Sequence, residues 1–324
     1  MLKLGVQSLA CTKVPRGYHK GPILPLLFII AINGLAKVIR HSKPLVFADD
    51  FKIFMEILSE NDCDNMQEDV NRVVDWCDIN GFQLNIKKCV CMTFSLKKNL
   101  MVRDYTVDGT ILKRVSTYKD LGVTFDPGLA FTEHIAIKIN EAYRIMGFII
   151  SSKHLNVNIC LKLFDSLVLP KLEYGAIIWS PQYANWGDLL EQVHRKFLKY
   201  MFFKKYGIYP ERGFNHQELL NIFHRISLES RRIKNCLVYI YKVLNQTVDD
   251  PNMLGQLPFS VNRLNSRHKT TFYLDFPRTN LYRNSPLYRM CDLFNRFVSD
   301  IDVQSLTVKR FKYIIDQKLM MNQI

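Results

Sequence analysis

Apolar residues recur with a helical period in the first third of the chain. Between Ser59 and Asn80 they stand three or four residues apart, at Cys63, Met66, Val70, Val73 and Cys77. This spacing predicts a helix over residues 59–80, and Gly81 is a typical helix stop. A second apolar run, from Ile23 to about Ile39, predicts a buried helix with Pro22 in its first turn.

Short apolar runs on either side of turn residues predict strands. Residues 44–47 and 51–54 flank Ala48-Asp49-Asp50, which indicates a β-hairpin with the two acids at its turn. Asp108-Gly109 separates two further short runs, and this dipeptide favours a tight hairpin turn. Residues 89–94 and 121–125 also have the composition of strands.

The pattern of apolar residues changes after Pro127, from short strand-like runs to helical spacing. Residues 131–205 and 215–246 have helical patterns, with breaks expected near Pro170, Pro181 and Pro210. Residues 251–290 are rich in Asn, Arg and Pro and predict extended or loosely ordered chain, followed by a helix near 305–320. These patterns predict an α+β fold, with a mixed unit up to residue 127 and a mainly helical remainder.

The basic residues are concentrated in the last third of the chain. The net charge is +14, and residues 201–324 hold 19 basic and 10 acidic side chains, a net charge of +9. This region includes Lys204-Lys205, Arg231-Arg232 and Lys309-Arg310. A polyanion is the natural partner of such a segment, and nucleic acid is a commoner one than an acidic membrane surface. The alternative is an ordinary solvated surface.

The cysteines indicate a reducing compartment. Eight are present without any C-x-x-C pair, and Cys89 and Cys91 are spaced to point the same way from a strand. The eight histidines are scattered, so no zinc site is expected. The N-terminus has no cleavable targeting pattern, and the apolar run Ile23 to Ile32 is too short to span a bilayer. We therefore expect an intracellular protein of the nucleus or cytoplasm, neither secreted nor membrane-bound.

Asp49-Asp50 is the best candidate for chemistry. Buried strands on both sides would hold the two carboxylates at a sheet edge, where they repel each other and favour a divalent cation. Oxygen ligands of this kind suit Mg²⁺, and a two-metal site of this type activates a 3′-hydroxyl and stabilises a leaving pyrophosphate. The alternative interpretation is a pair of solvated turn acids.

Five segments, in order, resemble the reverse transcriptases of jockey-like non-LTR retrotransposons. The acidic segment 46–54 (VFADDFKIF) is similar to their FADD box, and residues 14–22 (VPRGYHKGP) resemble their VPQGSxxGP loop. The remaining similarities are 81–89 (GFQLNIKKC) to G-x-x-LNxxKT/S, 118–123 (YKDLGV) to a YLG-type segment, and 171–175 (KLEYG) with Trp179 to KLxYG…W. Group II intron maturases and telomerase-type polymerases have a palm of the same kind, but the order and residues of these five segments favour the non-LTR group.

The resemblance implies a partial right-hand polymerase. Residues 1–127 would be a palm without its fingers and first catalytic strand, 128–250 a helical thumb, and 251–324 a basic C-terminal region. Asp49 and Asp50 would be catalytic metal ligands, and Lys88 would lie near the departing pyrophosphate. The RNA template and incoming nucleotide would contact a loop formed by Val14, Pro15, Arg16, Gly17, Gly21 and Pro22. The DNA primer would contact Lys119, Leu121 and Gly122.

The resemblance also has departures that bear on activity. The family has another essential carboxylate upstream of the loop, whereas the 13 residues before Val14 contain no Asp or Glu. Arg16 and Tyr18 replace the usual Gln and Ser, and Gly34 stands where the family has Asp. Weak or absent Mg²⁺ binding is expected, and with it an RNA-directed DNA polymerase that is inactive alone. The alternatives are a non-catalytic nucleic-acid-binding protein and a poorly folded reading frame without a selected role.

Overall fold

The computed structural model describes residues 2–7, 23–97, 101–260 and 270–321, with side chains described from residue 26 onward. The predicted template loop (Val14, Pro15, Arg16, Gly17, Gly21 and Pro22) lies outside these residues. The chain forms two compact units, residues 1–129 and 130–324. In the part of the chain described, no helix combines the length and apolarity needed to cross a bilayer.

Unit 1 is built on a mixed sheet of six short strands in the order β2-β3-β1-β5-β8, with β4 also paired to β1. All pairs are antiparallel except β5 with β8. Two further hairpins, β6-β7 and β9-β10, complete the unit. The strands are β1 (Leu2–Gln7), β2 (Lys43–Phe47), β3 (Asp50–Phe54), β4 (Gln83–Leu84), β5 (Val90–Cys91), β6 (Thr106–Val107), β7 (Thr110–Ile111), β8 (Lys113–Arg114), β9 (Tyr118–Asp120) and β10 (Val123–Phe125).

Two helices pack with this sheet, α1 (Ile23–Ile32) and α2 (Glu60–Asn80). The predicted α2 is confirmed: the Ser59 side chain accepts from Asp62 N–H, the Asp62 carboxylate accepts from Ser59 N–H, and Gly81 ends the helix at a φ of 70°. Its five periodic apolar residues are all buried. Four of them, Met66, Val70, Val73 and Cys77, form one core with residues from the neighbouring elements, Leu35, Phe51, Ile53 and Val107.

Asp69 is the buried acid on the inner face of α2, and it is fully inaccessible to solvent. Its carboxylate accepts hydrogen bonds from the backbone N–H groups of Arg40, His41 and Ser42 at 2.7–2.9 Å and from the Ser42 hydroxyl at 2.8 Å. Burial raises the pKa of Asp69, but these hydrogen bonds outweigh that effect and the pKa is lowered. The segment immediately before β2 is thereby fastened to α2.

A buried ion pair joins β3 to the β9-β10 hairpin. Nζ of Lys52 lies 2.7 Å from the Asp120 carboxylate, and only 5% of the Lys52 side chain and 14% of the Asp120 side chain are exposed. Lysine is rarely buried unless its charge is paired. The pair therefore holds two elements together that are 68 residues apart in sequence.

Three predictions in unit 1 need correction. The helix from Ile23 ends at Ile32, and a 3₁₀ turn over Leu35–Val38 follows the Asn33-Gly34 turn. This helix is also not buried as expected: among its described side chains only Ile32 is buried, and Leu26, Leu27, Ile29 and Ile30 are 45–61% exposed. The strand expected over 89–94 is only Val90–Cys91. The strand expected over 121–125 is only Val123–Phe125, because Leu121 and Gly122 form a tight turn after β9 with φ values of 44° and 86°. The predicted Asp108-Gly109 hairpin is confirmed.

Unit 2 is helical. Its helices are α3 (Thr132–Ser151), α4 (Val157–Leu163), α5 (Leu169–Glu173), α6 (Ala176–Trp179), α7 (Ala184–Tyr206), α8 (His216–Ile222), α9 (Leu228–Leu244), α10 (Pro251–Gln256), α11 (Asn280–Arg283), α12 (Pro286–Val298) and α13 (Val308–Met321). Pro170 does not break the chain as expected, because the widened π turn Phe164–Val168 runs directly into α5. The break comes at Tyr174-Gly175, where Gly175 has a φ of 67°.

The C-terminal region shares a core with α9 and is not a separate compact unit. The predicted final helix is confirmed as α13. The description of 251–290 as loosely ordered misses α10, α11 and the start of α12. The α12 side chains Met290, Leu293, Phe294 and Val298 are buried at helical spacing.

Replacing Asp69 should destabilise unit 1. Asp69→Asn retains the size of the side chain but turns an amide NH₂ toward buried N–H donors, so we expect a loss of about 2–3 kcal/mol in the free energy of unfolding. Because the pKa of Asp69 is lowered in the folded state, its contribution is present above the unfolded carboxyl pKa and is lost as pH falls through the folded value. Urea denaturation from pH 7 to pH 2 should show the difference from the parent chain narrowing in acid.

The matched control is Asp75→Asn, an exposed acid on the same helix. It should change the unfolding free energy by less than about 0.5 kcal/mol. Equal effects of the two substitutions would contradict the role given to Asp69.

The Lys52–Asp120 pair should show strong coupling. Lys52→Met or Asp120→Asn alone leaves one buried charge unpaired and should cost about 3 kcal/mol. The double variant should cost less than the sum of the two single changes by about 1–3 kcal/mol. Urea denaturation of the four chains measures this coupling, and strict additivity would mean that the two groups do not interact.

Candidate functional site

The acidic pair lies at the turn of the β2-β3 hairpin, as predicted. Phe47 is paired with Asp50, so Ala48 and Asp49 form a two-residue turn, and Ala48 takes a φ of 50°. Asp49 is exposed and Asp50 is half-buried. Both carboxylates therefore stand at one end of the sheet. The expectation of buried strands on both sides is wrong for β2: none of its residues is buried, and Leu45 and Phe47 are 51% and 60% exposed, so only β3 has a buried centre.

The strand beside β3 supplies no further acid. In the β1 register Gly5 is paired with Asp50 and Lys3 with Lys52, and residues 2–7 contain no Asp or Glu. Among the described residues, no third carboxylate, histidine or cysteine lies close enough to share an ion with the pair. The two acids thus provide oxygen ligands of the kind that Mg²⁺ takes, but fewer than a two-metal site uses.

Lys88 lies just before β5. It ends a 3₁₀ turn, Ile86–Lys88, and its side chain is exposed. Leu2 of β1 is paired with both Ile53 and Cys91, so β1 lies between β3, which begins at Asp50, and β5, which follows Lys88. The acidic turn and Lys88 are therefore carried by segments that are not neighbours in the sheet.

The predicted primer-contacting residues lie at the tip of the β9-β10 hairpin. Lys119 is exposed on β9, and Leu121 and Gly122 form the turn, with 44% of Leu121 exposed. The preceding residue, Asp120, points inward to Lys52. Sequence reasoning missed this link, although the central position of Lys52 in an otherwise apolar run was a signal that it is buried.

Lys52 also bears on the charge of the acidic turn. Alternate residues of a strand point to the same face, so Asp50 and Lys52 share one face of β3. The ammonium of Lys52 is held by Asp120 and its charge is offset there. The ammonium on the Asp50 face of β3 is therefore already paired within unit 1.

The chain is similar in sequence to known reverse transcriptases. Residues 6–128 match the family described as reverse transcriptase (RNA-dependent DNA polymerase). The RNA-directed DNA polymerase from mobile element jockey of Drosophila funebris is 26% identical over 186 residues, which is 52% of this chain and 19% of that protein. The jockey polymerase of Drosophila melanogaster is 25% identical over 179 residues, with the same shares of both chains.

No solved structure matches the chain significantly. The chain spans about a fifth of the length of the two jockey polymerases, 19% in each case. The family match ends at residue 128, and the first compact unit ends at residue 129. Residues 6–128 therefore match the reverse transcriptase family, and about half of the chain is similar to the RNA-directed DNA polymerases of jockey mobile elements.

Proposed function

We propose that residues 1–127 are part of an RNA-directed DNA polymerase palm, that the helices after it form a thumb, and that Asp49 and Asp50 belong to its nucleotidyl-transfer centre. The observation that carries this proposal is the pair of carboxylates at a tight hairpin turn, supported by Asp69 before β2 and by the Lys52–Asp120 pair within β3. RNA template and DNA primer are the partners that follow from it.

In this proposal each group has a role that its chemistry allows. Bound Mg²⁺ would supply positive charge for a 3′-hydroxyl and for the leaving pyrophosphate. Asp49 and Asp50 would hold the ion through carboxylate oxygens. Lys88 would offer its ammonium to the pyrophosphate, and the tip at Leu121-Gly122 would support the primer end. With β1 lacking a carboxylate, the centre in this chain binds Mg²⁺ weakly and turns over slowly or not at all.

Primer extension tests the incomplete centre. The 324-residue chain, given a primed RNA template with Mg²⁺ or Mn²⁺, should show no extension above that of an Asp49→Ala/Asp50→Ala variant. Extension that disappears with Asp49→Ala would contradict the expected inactivity, and would mean that another acid completes the site.

Ion binding tests the roles of the acids directly. Electron paramagnetic resonance with Mn²⁺ should detect weak binding that Asp49→Ala removes and Asp75→Ala leaves unchanged. Gly5 is the residue paired with Asp50, so Gly5→Asp places a third carboxylate opposite that acid and should tighten Mn²⁺ binding. The uncharged control, Gly5→Asn, should not. Binding that is insensitive to Asp49→Ala would remove the metal-ligand assignment.

A second candidate function is nucleic-acid binding without chemistry, and a basic aromatic surface at the end of α7 favours it. Lys205 is exposed and Lys204 is half-buried, next to the exposed rings of Phe203, Tyr206 and Tyr209. Ammonium groups attract phosphates without regard to sequence, and aromatic faces stack on unpaired bases. This combination fits a single-stranded nucleic acid.

The basic residues of 201–324 do not all contribute to such a surface. Arg231 is ion-paired with Glu173, and Arg232 is buried with 7% of its surface exposed. The expectation that this arginine pair joins a phosphate-binding face is therefore wrong, because both side chains are used inside unit 2. Lys309 and Arg310 are exposed, and Arg310 lies over the ring of Tyr313.

Salt dependence distinguishes this function from an ordinary surface. Binding of labelled single-stranded RNA should weaken steeply as salt rises, because phosphate contacts release counterions. Lys204→Gln/Lys205→Gln should weaken binding and reduce the slope of log affinity against log salt by about 1.4, or about 0.7 for each lost contact.

The control is Lys97→Gln/Lys113→Gln, which removes the same charge from exposed positions of unit 1. It should leave the slope near that of the parent chain. Binding that is absent at low salt, or unaffected by salt, would leave the α7 surface without a role in nucleic-acid binding.

A further inference from the structure

Three side chains with metal-binding atoms converge inside unit 2. Glu191 and His194 lie one turn apart on α7, and His216 is the first residue of α8. A Glu191 carboxylate oxygen lies 2.7 Å from Nε2 of His216 and 3.4 Å from Nδ1 of His194. One donor atom from each residue falls within 4.8 Å of the other two. A carboxylate and two imidazoles thus face one point.

The surroundings hold these groups in place. The second Glu191 oxygen accepts a hydrogen bond from the N–H of Leu228, the first residue of α9, at 2.8 Å. The His194 ring stacks on Phe164 with centroids 5.5 Å apart and planes at 13°. The His216 ring meets His194 edge-on at 5.9 Å. The ligand set is therefore oriented by packing, as in a preformed site.

The cluster has polar atoms that the protein itself does not satisfy. His194 is 3% exposed, and its Nδ1 is buried without a hydrogen-bond partner. Nδ1 of His216 is likewise buried and unbonded. Buried nitrogen atoms in native proteins usually have a partner, and one left without it costs stability. The unpartnered His194 atom is the one that faces Glu191.

We propose that Glu191, His194 and His216 bind one divalent first-row transition-metal ion, with Zn²⁺ the best match. Two histidines and a glutamate are an established ligand set for Zn²⁺, and imidazole nitrogens disfavour Mg²⁺. Tetrahedral Zn²⁺ bonds of about 2.0–2.1 Å place donor atoms roughly 3.3–3.4 Å apart. The 3.4 Å contact already has this spacing, and the 2.7 Å hydrogen bond would open by roughly 0.6 Å.

The ion would join three helices of unit 2. It would bind α7 and α8 directly and reach the start of α9 through the second oxygen of Glu191. Three protein ligands leave a fourth position for water. The buried Arg232 interacts electrostatically with Glu191, so the ion would share this carboxylate with a nearby positive charge. The site is independent of the acidic hairpin, because it lies outside residues 6–128.

The sequence expectation of no zinc site relied on spacing along the chain. Glu191 and His194 form only an E-x-x-H pair, and His216 follows Glu191 by 25 residues. Folding of α8 back onto α7 brings the third ligand into place. No local pattern indicates this.

The test is metal binding by the full chain after removal of metals with a chelator. Equilibrium dialysis against micromolar ZnCl₂ should give one ion per chain, and zinc should raise the unfolding temperature. Glu191→Gln/His216→Gln should lose this ion; the Gln at 191 keeps an oxygen for the Leu228 N–H. His154→Gln and His224→Gln, exposed histidines of the same unit, should retain it.

Co²⁺ gives a readout that does not depend on the folding of a variant. The parent chain with one equivalent of Co²⁺ should show the intense visible bands of a four-coordinate site with nitrogen and oxygen ligands. Faint six-coordinate bands, a cobalt–thiolate charge-transfer band, or no zinc bound to the parent chain would each overturn the proposal. Zinc retained by the folded double variant would overturn it as well.

Discussion

The hydrogen bonds to the Asp69 carboxylate determine where the acidic hairpin begins. Three consecutive N–H groups end at one carboxylate on α2, and β2 starts at the next residue, Lys43. The caps and core residues of α2 fix the helix itself. The hydrogen bonds to Asp69 therefore also fix the position of β2 relative to the helix. The Lys52–Asp120 pair then holds the returning strand. The two acids at the turn are thus positioned by contacts on both sides of them.

Elements whose local signals agree could be predicted from the sequence. The helix α2 combines a capping box, a helical apolar period and a terminal glycine, and the β6-β7 hairpin has Asp-Gly at its turn. Ala48 needs a positive φ that its side chain disfavours, yet the apolar runs on both sides were enough to indicate the hairpin. In α2 and the β6-β7 hairpin the local preferences of the residues agree with the tertiary structure, which is why the sequence pattern alone identifies these elements.

The remainder depended on tertiary contacts. The sequence predicts a strand at Leu121. Its neighbour Asp120 is paired with Lys52, however, and the chain turns at Leu121 before β10 begins. Pro170 reads as a helix break, yet a π turn accommodates it. The apolar residues of α12 do have helical spacing in the sequence. The Arg and Asn residues among them led instead to the prediction of loosely ordered chain. In the candidate site, the hairpin and the lack of an acid before Val14 were predictable, whereas the identity of the residue opposite Asp50, Gly5, required the register of β1.

The buried thiols make opening of each unit measurable. Cys63, Cys77, Cys89 and Cys91 lie in the core of unit 1, and Cys160, Cys236 and Cys291 in that of unit 2. Burial raises the pKa of Cys77 and Cys291 to about 12, so these thiols are almost entirely protonated and unreactive while the core is closed. A thiol reagent can therefore label them only during openings that admit solvent. The labelling rates of the two sets of cysteines would report how often each core opens, without any substitution to introduce a labelling site.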